Sequence, residues 1–159
     1  MKDLVDIYLA GPLFSQAQWN WNLELKRVLE RRGTERAAIR LILPQEKVET
    51  EDYGTWAFAE RTYLQCLTDL TLSDVVLANL DGSKADDGTC FEVGFAVAKN
   101  IPVIGFRTDP RPGEWQGCNL MLSVGCEKAG RMISTSTKDI EVLAKNLILA
   151  IQDVLEDKA

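Results

Sequence analysis

Ser73-Asp74-Val75-Val76-Leu77-Ala78-Asn79-Leu80-Asp81-Gly82-Ser83-Lys84-Ala85-Asp86-Asp87-Gly88-Thr89-Cys90-Phe91-Glu92-Val93-Gly94-Phe95-Ala96-Val97-Ala98 reads as strand, loop and helix in succession. Val75 to Leu80 is a short, nearly unbroken apolar run, the pattern of a strand buried on both faces. A polar loop with Gly82 and Gly88 follows, and the pattern predicts a helix opening at Thr89. Glu92 then falls in the first turn of that helix, just past the C-terminal end of the strand. Open α/β sheets bind their ligands at that place. The positive end of the helix dipole there favours an ionised carboxylate, which can act as a nucleophile or a general base. Thr89-Cys90-Phe91-Glu92 also fits a capping box, with Thr at the N-cap and Glu at N3, a role that requires no chemistry.

Composition narrows the chemistry. A chain of 159 residues is expected to form one domain, 1–159, with a single core. The net charge is −6, and the densest basic group is Lys26-Arg27 with Arg31-Arg32. Nucleic acid and anionic membranes are therefore poor partners. No segment reaches 18 apolar residues, and Asp3 and Asp6 spoil a signal-peptide reading of the start, so the expected location is cytoplasmic. The sequence has no His, which removes Ser-His-Asp and Cys-His catalysis and every His-bearing zinc site. The four cysteines, Cys66, Cys90, Cys118 and Cys126, form no Cys-x-x-Cys pair, so neither a metal nor a redox role is expected. Catalysis has to rest on carboxylates, Tyr, Lys or amides.

Outward from the opening stretch, strand and helix patterns alternate. Leu4 to Ala10 is an apolar run closed by Gly11-Pro12, with no Gly-x-Gly-x-x-Gly fingerprint. Ser15 or Gln16 opens a helix with Trp21, Leu25, Val28 and Leu29 on one face, stopped by Gly33. Ile39 to Leu43 is a second strand, ended by Pro44. Residues 46–54 are acidic and irregular, the composition of a lid. A helix follows from about Thr55 to Leu72, with Trp56, Ala59, Tyr63, Leu67 and Leu70 on one stripe. Trp56 and Phe58 read as core, or one of them as a cover for a flat ligand. Ile101 to Phe106 is a buried strand, Thr108 to Cys118 a loop, and Asn119 a helix cap. Arg131 to Ser134 makes a last short strand and Asp139 to Leu155 the closing helix. Five such alternations call for a doubly wound α/β fold, a parallel sheet with helices on both faces. The flavodoxin-like order 2-1-3-4-5 brings Tyr8 and Gly11 beside Glu92.

Several of these pieces together resemble the nucleoside 2-deoxyribosyltransferase family. They are Ile7-Tyr8-Leu9-Ala10-Gly11-Pro12-Leu13-Phe14, Ser73-Asp74-Val75-Val76, Leu80-Asp81-Gly82, Asp86-Asp87-Gly88-Thr89-Cys90-Phe91-Glu92-Val93-Gly94 and Asn119-Leu120-Met121. The resemblance implies transfer of a 2-deoxyribosyl group between nucleobases, with 2′-deoxynucleosides and free bases as substrates and no metal or cofactor. Glu92 would be the nucleophile, forming a covalent glycosyl-enzyme by the two-step route of retaining glycosidases. Tyr8 would hydrogen-bond Glu92, and Asp86 would serve the departing base. Gly11 would let backbone approach the nucleoside, Phe14 line the base pocket and Gln45 reach the base, with Gly88 beside the substrate. Asn119 would bind the sugar 5′-hydroxyl of a neighbouring subunit and Met121 pack on its base, in dimers or hexamers. Asp81 reads as structural, closing its turn. One position departs from the family pattern. An Asp or Asn eight residues before the strand's Asp is frequent there, and this chain has Cys66.

Two other functions compete. A hydrolase of nucleoside 5′-monophosphates would share the fold and the Glu, but such relatives hold phosphate with Ser and Arg in the first loop. Gly11 to Gln16 contains no Arg. A non-catalytic nucleotide sensor would use Glu92 only to cap a helix and bind ribose.

Overall fold

Alternation within the apolar runs builds the sheet. In β1 (Leu4–Ala10) successive side chains point to opposite faces: Val5, Ile7 and Leu9 go to one core, Tyr8 and Ala10 to the other. The computed structural model describes residues 3–47, 51–115 and 117–157. The remaining strands are β2 (Ala38–Ile42), β3 (Val75–Asn79), β4 (Val103–Arg107) and β5 (Arg131–Ser134). All pair in parallel in the order β2-β1-β3-β4-β5, the flavodoxin-like arrangement that the alternating pattern predicts. β1 therefore lies between β2 and β3, with Tyr8 opposite Ile42 and Val76.

The helices are α1 (Gln16–Arg32), α2 (Trp56–Leu72), α3 (Asp87–Ala98), α4 (Leu120–Ala129) and α5 (Ile140–Glu156). A capping box fixes the start of α1: Ser15 Oγ accepts from Gln18 N while Gln18 Oε1 accepts from Ser15 N. Its stripe of Leu25, Val28 and Leu29 meets Leu143, Leu147 and Ile151 of α5 on one face of the sheet. At about 1.5–3 kcal/mol per buried Leu, Ile or Val, this face is the main source of stability. α2, α3 and α4 cover the other face, and their cluster with Tyr8, Ala10, Val76 and Ala78 is smaller. α4 sits close on β4 because Gly105 has no side chain: a Cβ there would meet Cys126 Sγ at 2.7 Å and Met132 Sδ at 3.0 Å.

Several boundaries differ from the sequence pattern: β2 spans Ala38–Ile42 rather than Ile39 to Leu43, and β3 ends at Asn79 rather than Leu80. β4 starts at Val103 rather than Ile101 and runs on to Arg107. Pro102 lies just outside the strand, where it lacks an N–H to give but its carbonyl still accepts from Val76 N at 2.9 Å. α3 starts at Asp87, two residues before Thr89. Trp56, read as core or ligand cover, is not core, since it is 81% exposed. The expected lid, 46–54, includes residues 48–50, which lie outside the described residues. Among the described residues no helix is long and apolar enough to cross a membrane.

Candidate active site

The chain order of the sheet places the ends of β1 and β3 side by side, and the residues that follow them build the site. Gly11, directly after β1, is set by this closeness: a Cβ there would meet Asn79 Cβ at 3.0 Å. Its missing side chain thus makes room for the end of β3. The loop after β3 is tied down from β4. Asp81 Oδ1 accepts from Thr108 N (2.6 Å) and Asp109 N (2.8 Å), and its Oδ2 from Thr108 Oγ1 (2.7 Å). Asp81 is therefore structural, as its turn position predicts. Arg107, fully buried at the end of β4, donates to the carbonyls of Leu80 (2.6 Å) and Gly82 (2.9 Å). Sequence reasoning ends the strand before Arg107 and misses it. The usable signal is a cation closing an apolar strand, with Asp81 and Asp109 at the same sheet end.

This braced loop delivers α3, whose cap is not the predicted one. Asp86 is the N-cap, its Oδ2 accepting from Thr89 N (2.9 Å) and Thr89 Oγ1 (3.1 Å). Thr89 is buried and donates to that cap, so the box of Thr89 with Glu92 does not form. An acidic N-cap satisfies free helix N–H groups at least as well as Thr. With Asp87 as the first helical residue, Glu92 lies in the second turn. The expected preference for its ionised form also fails. The Glu92 pKa is raised to about 7, chiefly by burial and in smaller part by Asp86, while the hydrogen bond from Tyr8 works against them. Burial outweighs a helix-dipole effect that fades beyond the first turn.

Tyr8 and Glu92 are brought together as predicted: the buried Tyr8 hydroxyl donates to Glu92 Oε1. Burial and the neighbouring carboxylate hold the phenol's pKa far above its ordinary value, so it keeps its proton. Cys66, on α2, packs half-buried against the cluster that contains this phenol, a proximity that sequence spacing alone did not reveal. Burial pushes all four thiols up, Cys126 to about 12, so none is a ready nucleophile.

The other expected site residues have varied surroundings. Gly88 is exposed in the first turn of α3, 3.1 Å from Asp86 Oδ2 to a Cβ built on it. Phe14, after β1, is 76% exposed. Gln45 is buried and both ends of its amide are engaged: Oε1 accepts from Asn22 Nδ2 (2.8 Å) and Nε2 donates to Trp19 O (3.1 Å). It braces the loop after β2 against α1. Phe58 packs on Tyr53, ring centroids 5.1 Å apart. Asn119 caps α4, accepting from Met121 N (3.0 Å) and donating to Glu114 Oε2 (3.2 Å). Met121 is 75% exposed.

A half-buried carboxyl held by a phenol, next to a second carboxylate, can attack an electrophilic carbon or move a proton. Known proteins share the fold that holds this site. A conserved protein of Enterococcus faecalis V583 shares 28% identity at a TM-score of 0.76, over 94% of this chain and 98% of that one. A 2-deoxyribosyltransferase of Bacillus psychrosaccharolyticus shares 20% identity at 0.68, over 87% and 90%. A CMP N-glycosidase of Clostridium botulinum shares 16% at 0.55, over 91% and 98%. No curated protein matches the sequence. The family described as Nucleoside 2-deoxyribosyltransferase matches residues 7–136, from Tyr8 and Glu92 through the cap of α4, and the chain belongs to that family.

Proposed function

We propose that the protein transfers a 2-deoxyribosyl group from a 2′-deoxynucleoside to another purine or pyrimidine base. The observation that carries this reading is the buried Tyr8 hydroxyl donating to the half-buried Glu92 at the point where the strand order reverses. In the first half-reaction a Glu92 carboxylate oxygen attacks the anomeric carbon through an oxocarbenium-like transition state. The bond to the base nitrogen breaks, its electron pair leaves with the base, and a glycosyl–Glu92 ester forms. Asp86 serves the departing base. Its Oδ2 holds the α3 cap, and its other oxygen, when protonated, passes that proton to the departing base nitrogen and regains one from the N–H of the incoming base in the second half-reaction. In the second half-reaction an incoming base attacks the same carbon from the opposite face and releases Glu92, so configuration is retained overall.

Tyr8 has two duties in this scheme. As a donor it keeps Glu92 oriented and offsets part of the burial that raises its pKa. As a group that holds its own proton it does not compete as a base. Phe14, Trp56 and Met121 are exposed aromatic or thioether side chains, suited to a flat heterocycle or to a second subunit. The proposal includes a homo-oligomer in which Asn119 and Met121 reach the neighbouring site. The exposed Trp56, Tyr63, Phe91 and Met121 support it, since large apolar patches on a folded surface mark interaction sites.

Incubation with thymidine and adenine, and separately with a deoxynucleoside monophosphate, tests the reading. Base exchange is the expected product. Free sugar phosphate from the monophosphate alone would point to the hydrolase instead, and binding without turnover to a sensor. Mixing Glu92→Ala with Asn119→Ala subunits tests the shared site, since heteromers with one intact site should recover activity. A fully active monomer, or no recovery after proven exchange, would rule sharing out.

A further inference from the structure

The fully buried guanidinium of Arg107 is used unevenly. Nη1 donates to the carbonyls of Leu80 (2.6 Å) and Gly82 (2.9 Å). Nη2 reaches the Arg111 carbonyl at 3.4 Å and lies 3.7 Å from Asp109 Oδ2. Nε has no partner, and among the described residues it is the one buried side-chain nitrogen or oxygen left so. A buried donor without an acceptor destabilises a fold, and an apolar side chain in place of a buried ion is often neutral or stabilising. Stability alone therefore does not account for a guanidinium here. We propose that Arg107 is a positioning residue for the carboxylates of the site: it clamps the loop after β3 to the loop after β4, and so fixes where α3 begins and where Asp86 and Glu92 stand.

The clamp is reciprocal. From the β3 side, the Asp81 carboxylate accepts from the amides of Thr108 and Asp109. From the β4 side, Arg107 donates to the carbonyls that flank Asp81, and Gly82 N donates back to Asp109 Oδ2 at 3.3 Å. Gly82 has a φ of 114°, a conformation open to glycine, and a Cβ there would lie 2.8 Å from Lys84 O. The chain thus turns where the clamp ends, and only residues 83–85 separate it from the Asp86 cap of α3. The second loop closes on the same side chain. A Cβ on Gly117 would meet Arg107 Nε at 2.5 Å and Cδ at 2.8 Å, so backbone covers the unpaired nitrogen.

The fork of an arginine suits this task, because its two outer nitrogens address the two loops at once. A lysine offers all its donors from a single nitrogen. Arg107→Lys therefore keeps the charge and part of the clamp, whereas Arg107→Met keeps an unbranched side chain of similar length and no donor. Comparing the two separates the hydrogen bonds from the filling of space.

The catalytic consequence rests on the proposed role of Glu92, but the holding of α3 does not, and the two are measured apart. Amide hydrogen exchange reads the clamp at Thr108, Asp109 and Thr89, whose N–H groups go to Asp81 and Asp86. Leu29 and Leu147, buried on the α1/α5 face, serve as references. Base exchange is measured on the same samples. In Arg107→Met the three amides should exchange about tenfold faster or more relative to the references. Its kcat should fall by roughly tenfold to a hundredfold, the scale of a misplaced reacting group, with KM within about threefold because ground-state binding is spared. Arg107→Lys should lie between Met and wild type in both readouts, and it carries the comparison alone if the Met variant does not fold. Equal acceleration at all five amides, or a wild-type kcat in a variant whose three amides are loosened, would make Arg107 merely structural and overturn the proposal. Selective loosening in a protein whose wild type shows no base exchange would leave the clamp standing and remove the proposed function.

Discussion

The two faces of this sheet are built from the same kind of helix and end up with different surfaces. On the α1/α5 face, Leu25, Leu29, Leu147 and Ile151 are fully buried, and the charged positions turn outward into ion pairs such as Arg32–Glu141. On the α2/α3/α4 face, only the C-terminal end of α2 is buried, at Asp69 and Leu70. Trp56, Tyr63 and Leu64 of the same helix stay exposed, as do Phe91 on α3 and Met121 on α4. One face is packed along both of its helices, although Trp19, Leu23, Val142 and Leu149 on their outer sides stay exposed. The other leaves apolar surface, a carboxyl with a raised pKa and a buried phenol in one neighbourhood. A close-packed core leaves no room for a ligand, and this division gives stability to one side and chemistry to the other.

Substitutions should separate the faces, and the largest effect belongs to Glu92. Glu92→Gln should lower base exchange by roughly four orders of magnitude or more, the scale of losing a nucleophile. Its stability should move the other way. The folded carboxyl titrates near 7 and an exposed Glu near 4.5, so between those values the folded chain holds the extra proton. Stability therefore falls as pH rises through that window. Above pH 7 the Gln variant should be the more stable protein by about 3 kcal/mol, and below pH 4.5 the difference should vanish. Urea unfolding at pH 4.5 and pH 8 reads both ends. A Gln variant equally destabilised at both would show that Glu92 is a structural group.

On the closed face Leu147→Ala should cost about 2–5 kcal/mol of stability through the cavity it leaves. Activity per folded molecule should be unchanged. Chemical denaturation beside a rate assay on the same sample checks this, and a selective loss of rate would join the two faces energetically.

Tyr8→Phe removes a hydrogen bond to a charged group, worth about 1.5–3 kcal/mol, or roughly tenfold to 150-fold in kcat/KM at neutral pH. Because Tyr8 lowers the Glu92 pKa, the acid limb of the pH–rate profile should move up from about 7 in this variant. A profile that falls in height without moving would mean the phenol acts on the substrate rather than on Glu92.

Trp56→Ser should have the smallest effect on the isolated fold, within about 0.5 kcal/mol, as for surface positions elsewhere. Its effect should appear in assembly, read by sedimentation. A loss of several kcal/mol in the monomer would show that the open face is core after all.

The closed face was legible from the sequence because its signals are local. The stripe of Trp21, Leu25, Val28 and Leu29, the Ser15 cap and the Gly33 stop all lie within one helix. The strand order followed from chain alternation. The same reasoning fails on α2, because Trp56 and Tyr63 have the spacing of a core stripe, and spacing does not say whether a helix has a neighbour along its whole length. The α3 cap was misread by three residues because Asp86 and Thr89 are both good N-caps and only the loop geometry set by Asp81 and Arg107 selects between them. That shift moved Glu92 out of the first turn, and burial, which spacing does not reveal, reversed its electrostatics. Gln45 illustrates the third limit: nothing in the sequence reveals that Asn22, twenty-three positions earlier, engages its amide.

The most direct measurement is mass spectrometry of enzyme quenched during incubation with a 2′-deoxynucleoside and no acceptor base. The expected result is a deoxyribosyl adduct on the peptide that carries Glu92, discharged when an acceptor base is added and absent from Glu92→Gln. Base exchange without any adduct on Glu92, together with a Glu92→Gln variant that keeps about a tenth or more of the wild-type rate, would contradict the covalent role of Glu92.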